Sequence, residues 1–188
     1  ESVFIDHSTV SPETVIKLSK RLNSKSLYLL YAPVSGGQAG AENGALSIMV
    51  GGDFDAFKKS KPVMDLYGKK VEYMGDTGSG QQTKIINQIC IGGLIQSLSE
   101  AIYFMKHTNL DPSKVLDVIS SGAAQSWQME NRFKTMTEDK FDFGFAVDLM
   151  RKDLSIAFRE SEKYGIDLEI TKIIDTFYED LQKKGHNN

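Results

Sequence analysis

Residues 71–98 have the sequence VEYMGDTGSGQQTKIINQICIGGLIQSL. Within this stretch the predicted secondary structure changes from a strand to a long helix. The stretch begins with a strand pattern at 71–74. After a glycine-rich turn it continues into a long segment that is apolar on most faces of a helix. Such a helix is typical of the buried centre of a bundle. We therefore predict two domains, at 1–77 and 78–188.

The segment before this turn alternates short apolar runs with helical patterns, which indicates an α/β sheet. Ser11 and Pro12 predict a helix start, because serine is a good N-cap and proline suits the first helical position. The small residues at 35–41 predict a loop. The predicted strands are 3–5, 27–31, 46–50 and 71–74. Because the chain begins directly on a strand, with no turn or cap before it, we expect a fragment of a longer protein.

After the turn the sequence predicts helices alone, so the expected fold class is α/β followed by all-α. The aromatic side chains of Trp127, Phe141, Phe143 and Phe145 could line a pocket, but their spacing is more typical of a core. The predicted helices lie at about 81–106, 111–122, 126–136, 145–164 and 170–184.

The charge and apolar content of the chain exclude two classes of partner. The chain has 22 Lys and Arg against 25 Asp and Glu, a net charge of −3. It therefore lacks the basic field that non-specific nucleic-acid binding requires, and we expect no nucleic-acid partner. Its most apolar run, 85–98, contains three amide side chains and is shorter than the roughly 20 apolar residues of a membrane span, so we expect no membrane partner.

Cysteine and histidine usage bears on the compartment and on metals. The single cysteine, Cys90, excludes an intrachain disulfide and a thiolate zinc cluster, and it fits a reducing compartment such as the cytoplasm. We expect Cys90 to pack inertly within its apolar helix. His7, His107 and His186 are far apart and lack metal-ligand spacing, so we predict no metal site.

Gly78, Ser79 and Gly80 follow a strand and open a helix, as in a dinucleotide-binding fingerprint. That fingerprint requires a third glycine, but Thr83 stands there. It also requires an acidic residue about 20 residues on, at the end of a second strand, whereas Glu100 lies in the same predicted helix. The glycines therefore predict a tight turn into a connecting helix.

Lys84 is the strongest candidate for chemistry. It lies in the first turns of the apolar helix, where desolvation lowers a lysine pKa and makes the amine useful for acid–base catalysis. Asn87 and Gln88, three and four residues on, project on the same side and could help to hold a hydroxyl or carbonyl oxygen. The alternative is a lysine that snorkels to solvent, with both amides bonded to loop backbone.

Two further segments are candidates for binding. Ser35, Gly36 and Gly37 follow a predicted strand end, where their backbone N–H groups and the serine hydroxyl could bind a carboxylate. The alternative is an ordinary glycine-rich turn. Lys152 lies beside Asp153 inside an amphipathic helix, but it also follows Asp148 by four residues, and a surface ion pair is the simpler interpretation.

Taken together, five segments resemble the β-hydroxyacid dehydrogenase family, which includes 3-hydroxyisobutyrate dehydrogenases and 2-hydroxy-3-oxopropionate reductases. The resemblance covers nearly the whole chain. It implies a Rossmann-like domain, here only its C-terminal part, followed by a helical domain around a long interdomain helix. The segments are 6–12, 32–37, 44–52, 78–84 and 145–154.

The resemblance implies a role for each candidate. Lys84 matches the catalytic lysine, which exchanges a proton with the substrate oxygen during hydride transfer, and Asn87 matches the amide beside it. Gln88 stands where relatives carry Asn or Gln, and its contribution to substrate binding stays open. The residues implied to hold the substrate carboxylate are Ser35, Gly36 and Gly37, and those implied to contact the cofactor are Thr9 and Lys152.

The implied cofactor is NAD or NADP, whose main binding motif would lie upstream of this chain, and the implied substrate is a small 3-hydroxy acid or its semialdehyde. Tyr31 stands where relatives usually have Asp. We expect a homodimer or homotetramer, because an unpaired sheet edge invites partner chains. The cytoplasm is the expected location, or the mitochondrial matrix in a eukaryote.

Two other functions stay open from the sequence. One is a catalytically inactive binding or oligomerisation module derived from such a dehydrogenase. The other is a phosphorylated-sugar-acid dehydrogenase similar to 6-phosphogluconate dehydrogenase. A sugar phosphate calls for several basic residues at the site, and the sequence offers only Lys84, Arg151 and Lys152.

Overall fold

The structure is a computed structural model that describes residues 2–25, 27–141 and 144–187. Among these residues five strands form one sheet. The strands are β1 Val3–Asp6, β2 Tyr28–Tyr31, β3 Val34–Ser35, β4 Leu46–Gly51 and β5 Gly68–Gly75. Strand β1 pairs with β2 in parallel, and β4 pairs with β5 in parallel. Strands β2 and β3 both run antiparallel to β4.

Three helices accompany this sheet: α1 Pro12–Asn23, α2 Gly37–Glu42 and α3 Phe54–Met64. The predicted cap of α1 is confirmed, because the Ser11 side chain accepts a hydrogen bond from the Thr14 backbone N–H. Asp53 caps α3 in the same way. The sheet packs its apolar face against α3, and the fully buried side chains there include Leu30, Ile48, Val50 and Met64.

The predicted loop at 35–41 is wrong. Ser35 ends β3, where it pairs with Ser47 of β4, and α2 begins two residues later. Gly36 and Gly37 allow this change of direction because both have positive φ, at 135° and 61°. The partner strand that orders Ser35 lies outside its own sequence neighbourhood, so the local composition did not reveal it.

The remaining regular elements in the described residues are all helices, as predicted: α4 Ser79–Lys106, α5 Pro112–Ser120, α6 Trp127–Thr137, α7 Val147–Lys163 and α8 Glu169–Lys183. Helix α4 connects the sheet to all of the others. Its C-terminal half packs with α5 and α6 around Leu98, Ile102 and Phe133. The middle of α4 packs with α7 and α8, which are also joined by the ion pair of Arg151 with Asp175.

Helix α4 is not buried on most of its faces, contrary to the sequence prediction. Ile86 is 63% exposed and Phe104 is 71% exposed, and Cys90 is exposed rather than packed. By length and composition alone, α4 is also the one described helix that could cross a membrane. Its contacts with the sheet, α6, α7 and α8 are those of a connecting helix. An apolar sequence thus indicated helix length correctly but did not show which sides are covered.

The start of α4 lies directly against the sheet backbone at Gly80. A Cβ atom added there would lie 2.3 Å from the Met49 carbonyl oxygen and 3.0 Å from both the Gly51 nitrogen and the Tyr31 oxygen. These neighbours are backbone atoms of two strands, so they cannot turn aside as a side chain would. Glycine is therefore required for α4 to meet the sheet in this position.

We expect Gly80→Ala to lower the free energy of unfolding by about 3 kcal/mol or more, because the added methyl group forces helix and sheet apart. Gly93→Ala is the matched control on the same helix, where the nearest atom to a new Cβ is Ile174 Cδ1 at 4.0 Å. The control should stabilise the protein by up to about 1 kcal/mol through helix propensity. Urea denaturation measures both, and equal stabilities would contradict the close contact.

Candidate active site

A buried polar stripe runs along one face of α4. Gln81, Lys84 and Gln88 are spaced by three and four residues, which places them on the same side of the helix. Their exposures are 0%, 7% and 2%. Polar side chains this deeply buried require partners, because an unpaired buried polar group is costly.

The ammonium of Lys84 is enclosed where α4 meets α7. Burial lowers the pKa of Lys84 below its ordinary value. The carboxylate of Asp153 opposes this by raising the pKa, and the positive charge of Lys152 lowers it further. Lys84 forms no hydrogen bond to another residue in the described part of the chain. Its amine is therefore buried, close to charges of both signs, and free to bond a ligand.

The amide side chains of α4 reach the same carboxylate. Gln88 Nε2 donates to Asp153 Oδ2 at 2.7 Å, and Asn87 Nδ2 donates to Gln88 Oε1 at 2.8 Å. Asp153 is 2% exposed, and its Oδ1 accepts no hydrogen bond from the described residues although Lys152 Nζ lies 2.9 Å away. The alternative of amides bonded to loop backbone is not what forms, because Asn87 and Gln88 make a chain that ends on a buried acid.

Lys152 links α7 to the segment between β1 and α1. Its Nζ donates to the Thr9 carbonyl oxygen at 2.7 Å and lies beside Asp153. The expected surface ion pair with Asp148 is not what the structure shows, because Asp148 instead accepts a hydrogen bond from Gln182 on α8. The two residues that the family resemblance implies for cofactor binding, Thr9 and Lys152, are therefore in direct contact.

Ser35, Gly36 and Gly37 lie at the end of β3 and the start of α2. Strand β3 contacts α4, but no hydrogen bond joins these three residues to Lys84 within the described ranges. His7 links this region to the β1–α1 segment, because its Nδ1 lies 2.6 Å from the carbonyl oxygen of Ala32, three residues before Ser35. A cavity of about 440 Å³ between α1 and α7 includes none of the candidate residues.

The structure also identifies a residue that the sequence did not single out. Gln81 donates to the Ser8 carbonyl oxygen and accepts from the Val10 N–H, and so contacts the backbone on both sides of Thr9. The spacing of Gln81, Lys84 and Gln88, which places three polar side chains on one side of the helix, was a signal that could have revealed it.

The aromatic side chains expected in a core are instead largely accessible. Trp127, Phe141 and Phe145 are all exposed, and Phe143 lies outside the described residues. Trp127 stacks under the guanidinium of Arg132. Their spacing therefore does not place them in the interior of this chain.

Two family models match the chain. Residues 78–188 match the family described as NAD-binding of NADP-dependent 3-hydroxyisobutyrate dehydrogenase. Residues 1–75 match the NAD binding domain of 6-phosphogluconate dehydrogenase.

Individual relatives extend this similarity over nearly the whole chain. An uncharacterized oxidoreductase of Shewanella frigidimarina is 49% identical, covering 96% of this chain and 62% of that protein. The 2-hydroxy-3-oxopropionate reductase of Escherichia coli is 36% identical, covering 89% of this chain and 57% of that enzyme. The structure of 3-hydroxyisobutyrate dehydrogenase from Salmonella typhimurium superimposes with a TM-score of 0.89 at 27% identity, covering 98% of this chain and 65% of that one.

A partial Rossmann-like sheet, a helical unit around a long connecting helix and two NAD-binding family matches define the class of the fold, that of NAD(P)-binding dehydrogenases. Within that class, the chain belongs to the β-hydroxyacid dehydrogenase family of 3-hydroxyisobutyrate dehydrogenase. It spans less than two thirds of the length of the relatives described above.

The burial of Lys84 predicts a measurable effect on stability. The pKa of Lys84 is lower in the folded than in the unfolded chain, so its charge opposes folding below the folded pKa, and this cost disappears as pH rises past the unfolded value of about 10.4. We expect Lys84→Met to stabilise the protein by ~1 kcal/mol at pH 7. This gain should shrink toward pH 10.

Chemical denaturation at the two pH values measures this difference. Lys114→Met, at an exposed position of α5, is the matched control and should show no such pH dependence. Destabilisation by Lys84→Met at neutral pH would mean that the buried ammonium is well compensated.

Proposed function

We propose that the protein containing this chain is an NAD(P)-dependent dehydrogenase that interconverts a small 3-hydroxy acid and its semialdehyde, with Lys84 as the general acid and base. The observation that carries the proposal is the buried ammonium of Lys84, with its lowered pKa, beside the equally buried Asp153. The family of the chain and the names of its relatives, a 2-hydroxy-3-oxopropionate reductase and a 3-hydroxyisobutyrate dehydrogenase, support the substrate class.

Proton transfer is the part of the reaction that falls to Lys84. Bound NAD(P) supplies or accepts the hydride. In reduction the Lys84 ammonium donates a proton to the aldehyde oxygen, and in oxidation the neutral amine takes the proton from the hydroxyl. An acid–base group works best with a pKa near the working pH, and burial moves the pKa of Lys84 in that direction.

Asp153 and the two amides hold the lysine environment in place. The negative charge of the carboxylate stabilises the Lys84 ammonium and so offsets part of the cost of its desolvation. Gln88 fixes that carboxylate through its hydrogen bond to Oδ2, and Asn87 fixes Gln88 in turn. We assign Asn87 to orienting the substrate oxygen and Gln88 to orienting the carboxylate of Asp153.

We assign the cofactor and the substrate carboxylate to polar groups of α7 and of the segments that follow β1 and β3. The segment around Thr9 follows β1, at the carboxyl end of a strand where α/β sheets bind ligands. Thr9 and Lys152 would hold the cofactor there, since the threonine hydroxyl makes no hydrogen bond among the described residues. Ser35, Gly36 and Gly37 would hold the substrate carboxylate through a hydroxyl and backbone N–H groups, because positive φ at both glycines turns the backbone away from regular pairing.

We also propose a homodimer or homotetramer in the cytoplasm. Exposed apolar side chains at Ile86, Leu94 and Phe104, all on α4, support the oligomer, because uncovered apolar residues along one helix offer a surface to a partner chain. The same side chains favour the second candidate function, an inactive oligomerisation module.

The free, exposed Cys90 supports the proposed location, because a free thiol suits a reducing compartment.

We expect Lys84→Met to lower kcat by about 10²- to 10⁴-fold, the usual contribution of general acid–base catalysis, while coenzyme affinity stays near that of the wild type. The measurement is coenzyme-coupled turnover of the protein, with its flanking sequence, on small hydroxy acids and semialdehydes. Near-normal turnover of the variant would reject Lys84 as the proton donor. No turnover of any such substrate by the wild type would favour the inactive module.

The charges beside Lys84 predict opposite shifts in the pH profile of alcohol oxidation. Oxidation requires the neutral amine, so kcat/KM rises as pH passes the pKa of Lys84. Asp153→Asn removes the charge that raises this pKa and should move the rise to lower pH, whereas Lys152→Met removes a charge that lowers it and should move the rise to higher pH.

A fall in the kcat/KM plateau without these opposite shifts would show that both residues act only through structure. The asparagine can still accept the hydrogen bond from Gln88 Nε2, so the first variant changes charge more than geometry.

A further inference from the structure

Gln81 is the most deeply buried polar side chain of α4, and both ends of its amide are used on a segment of irregular backbone. Nε2 donates to the Ser8 carbonyl oxygen at 2.8 Å, and Oε1 accepts from the Val10 N–H at 3.2 Å. A single amide therefore pairs with the backbone on both sides of Thr9, much as a neighbouring strand would.

The segment that Gln81 contacts is held at its ends by His7, which bonds to Ala32, and by Val10, which packs against Val15 and Leu29, but the backbone between them has few other hydrogen bonds. Residues 7–11 join β1 to α1 and belong to neither. The Ser8 N–H bonds to the side chain of Asp6, and the Thr9 carbonyl oxygen accepts from Lys152. Among the described residues, no other hydrogen bond reaches the Ser8 oxygen or the Val10 nitrogen. The hydrogen bonds to the backbone from the Ser8 carbonyl to the Val10 N–H thus come from side chains of α4 and α7.

We propose that Gln81 is a positioning residue that fixes the backbone around Thr9 for coenzyme binding and sets its distance from Lys84. This inference rests on the proposed function. Gln81 precedes Lys84 by three residues on the same rigid helix and faces the same side. The contact with the coenzyme and the amine that transfers the proton are therefore tied to one element, so that neither moves without the other.

The chemistry of the side chain explains why an amide suits this position. Ser8 offers a carbonyl acceptor and Val10 offers an N–H donor, and glutamine alone among residues of its length supplies a donor and an acceptor together without charge. Methionine has a similar length but leaves both backbone groups without a partner. An ionised glutamate still accepts from Val10 but meets the Ser8 oxygen with negative charge.

Gln82 provides a matched control one residue away. It also joins α4 to another element, because its Nε2 donates to the Tyr164 hydroxyl at 2.8 Å, but among the described residues it makes no hydrogen bond to the segment around Thr9. Replacing either glutamine removes a contact between elements. Only the Gln81 replacement disturbs the backbone beside the coenzyme.

The test compares Gln81→Met, Gln81→Glu and Gln82→Met with the wild type in the protein containing this chain. Fluorescence titration with NADH and NADPH gives the coenzyme Kd, and hydrogen exchange reports on the Val10 amide. We expect Gln81→Met to weaken coenzyme binding and to lower kcat, each by roughly 10- to 100-fold, since small misplacements cost that much. Exchange at Val10 should accelerate, while the substrate KM at saturating coenzyme changes little.

Gln82→Met should leave the coenzyme Kd and Val10 exchange at wild-type values, even where its melting temperature falls. Gln81→Glu should weaken coenzyme binding less than Gln81→Met, because it keeps one of the two hydrogen bonds, and it carries the test should the methionine variant not fold. An unchanged Kd in the folded Gln81 variants, or an equal loss in Gln82→Met, would overturn the proposal.

The outcomes separate this inference from the proposed function. A wild-type protein that binds neither coenzyme overturns both the dehydrogenase and the coenzyme role of Gln81, whatever the exchange data show. A wild-type protein that binds coenzyme and turns over hydroxy acids, with variants of unchanged Kd, overturns the role of Gln81 alone.

Discussion

The close approach of α4 to the sheet at Gly80 is the constraint on which the arrangement of the site depends. At this point a helix start lies against the backbone of two strands, at a distance that no side chain permits. A helix is rigid over a few turns, so fixing its start also fixes the stripe that follows. Gln81 then meets the segment after β1, and Lys84 and Gln88 meet α7. The site is therefore assembled from both halves of the chain by one contact that lacks a side chain.

Helix α7 contributes the two charged side chains nearest to Lys84, those of Asp153 and Lys152. Asp153 is buried, and it accepts a hydrogen bond from Gln88 while lying close to Lys84 and Lys152. Lys152 emerges from the same turn and spans to Thr9. Polar groups in a low-dielectric interior interact strongly, so a change of charge at one of them alters the electrostatic energy of the others. For this reason we expect substitutions at Asp153 and Lys152 to change the pKa of Lys84 through charge.

The sequence predicted the fold class and most element types because amphipathic periodicity and capping are local properties. Ser11 and Asp53 cap the helices where serine and aspartate are expected. The failures involve contacts between distant residues. The strand at Ser35 depends on Ser47, and Lys152 bonds to Thr9 instead of to Asp148 four residues away. The burial of Lys84 was foreseeable from its apolar neighbours, whereas the partners of that lysine were not, and its catalytic role stays a prediction.

The charges around Lys84 explain why its ammonium loses a proton readily. When both lysines are protonated, two ammonium groups face the single carboxylate of Asp153, which leaves one positive charge without a partner among the three. Desolvation makes that excess most costly at Lys84, which is the more buried lysine, and so favours loss of its proton. A carboxylate bound nearby would cancel the excess and favour the protonated amine. The proposed anionic substrate therefore suits this cluster better than a neutral one, because its negative charge would keep on Lys84 the proton that reduction consumes.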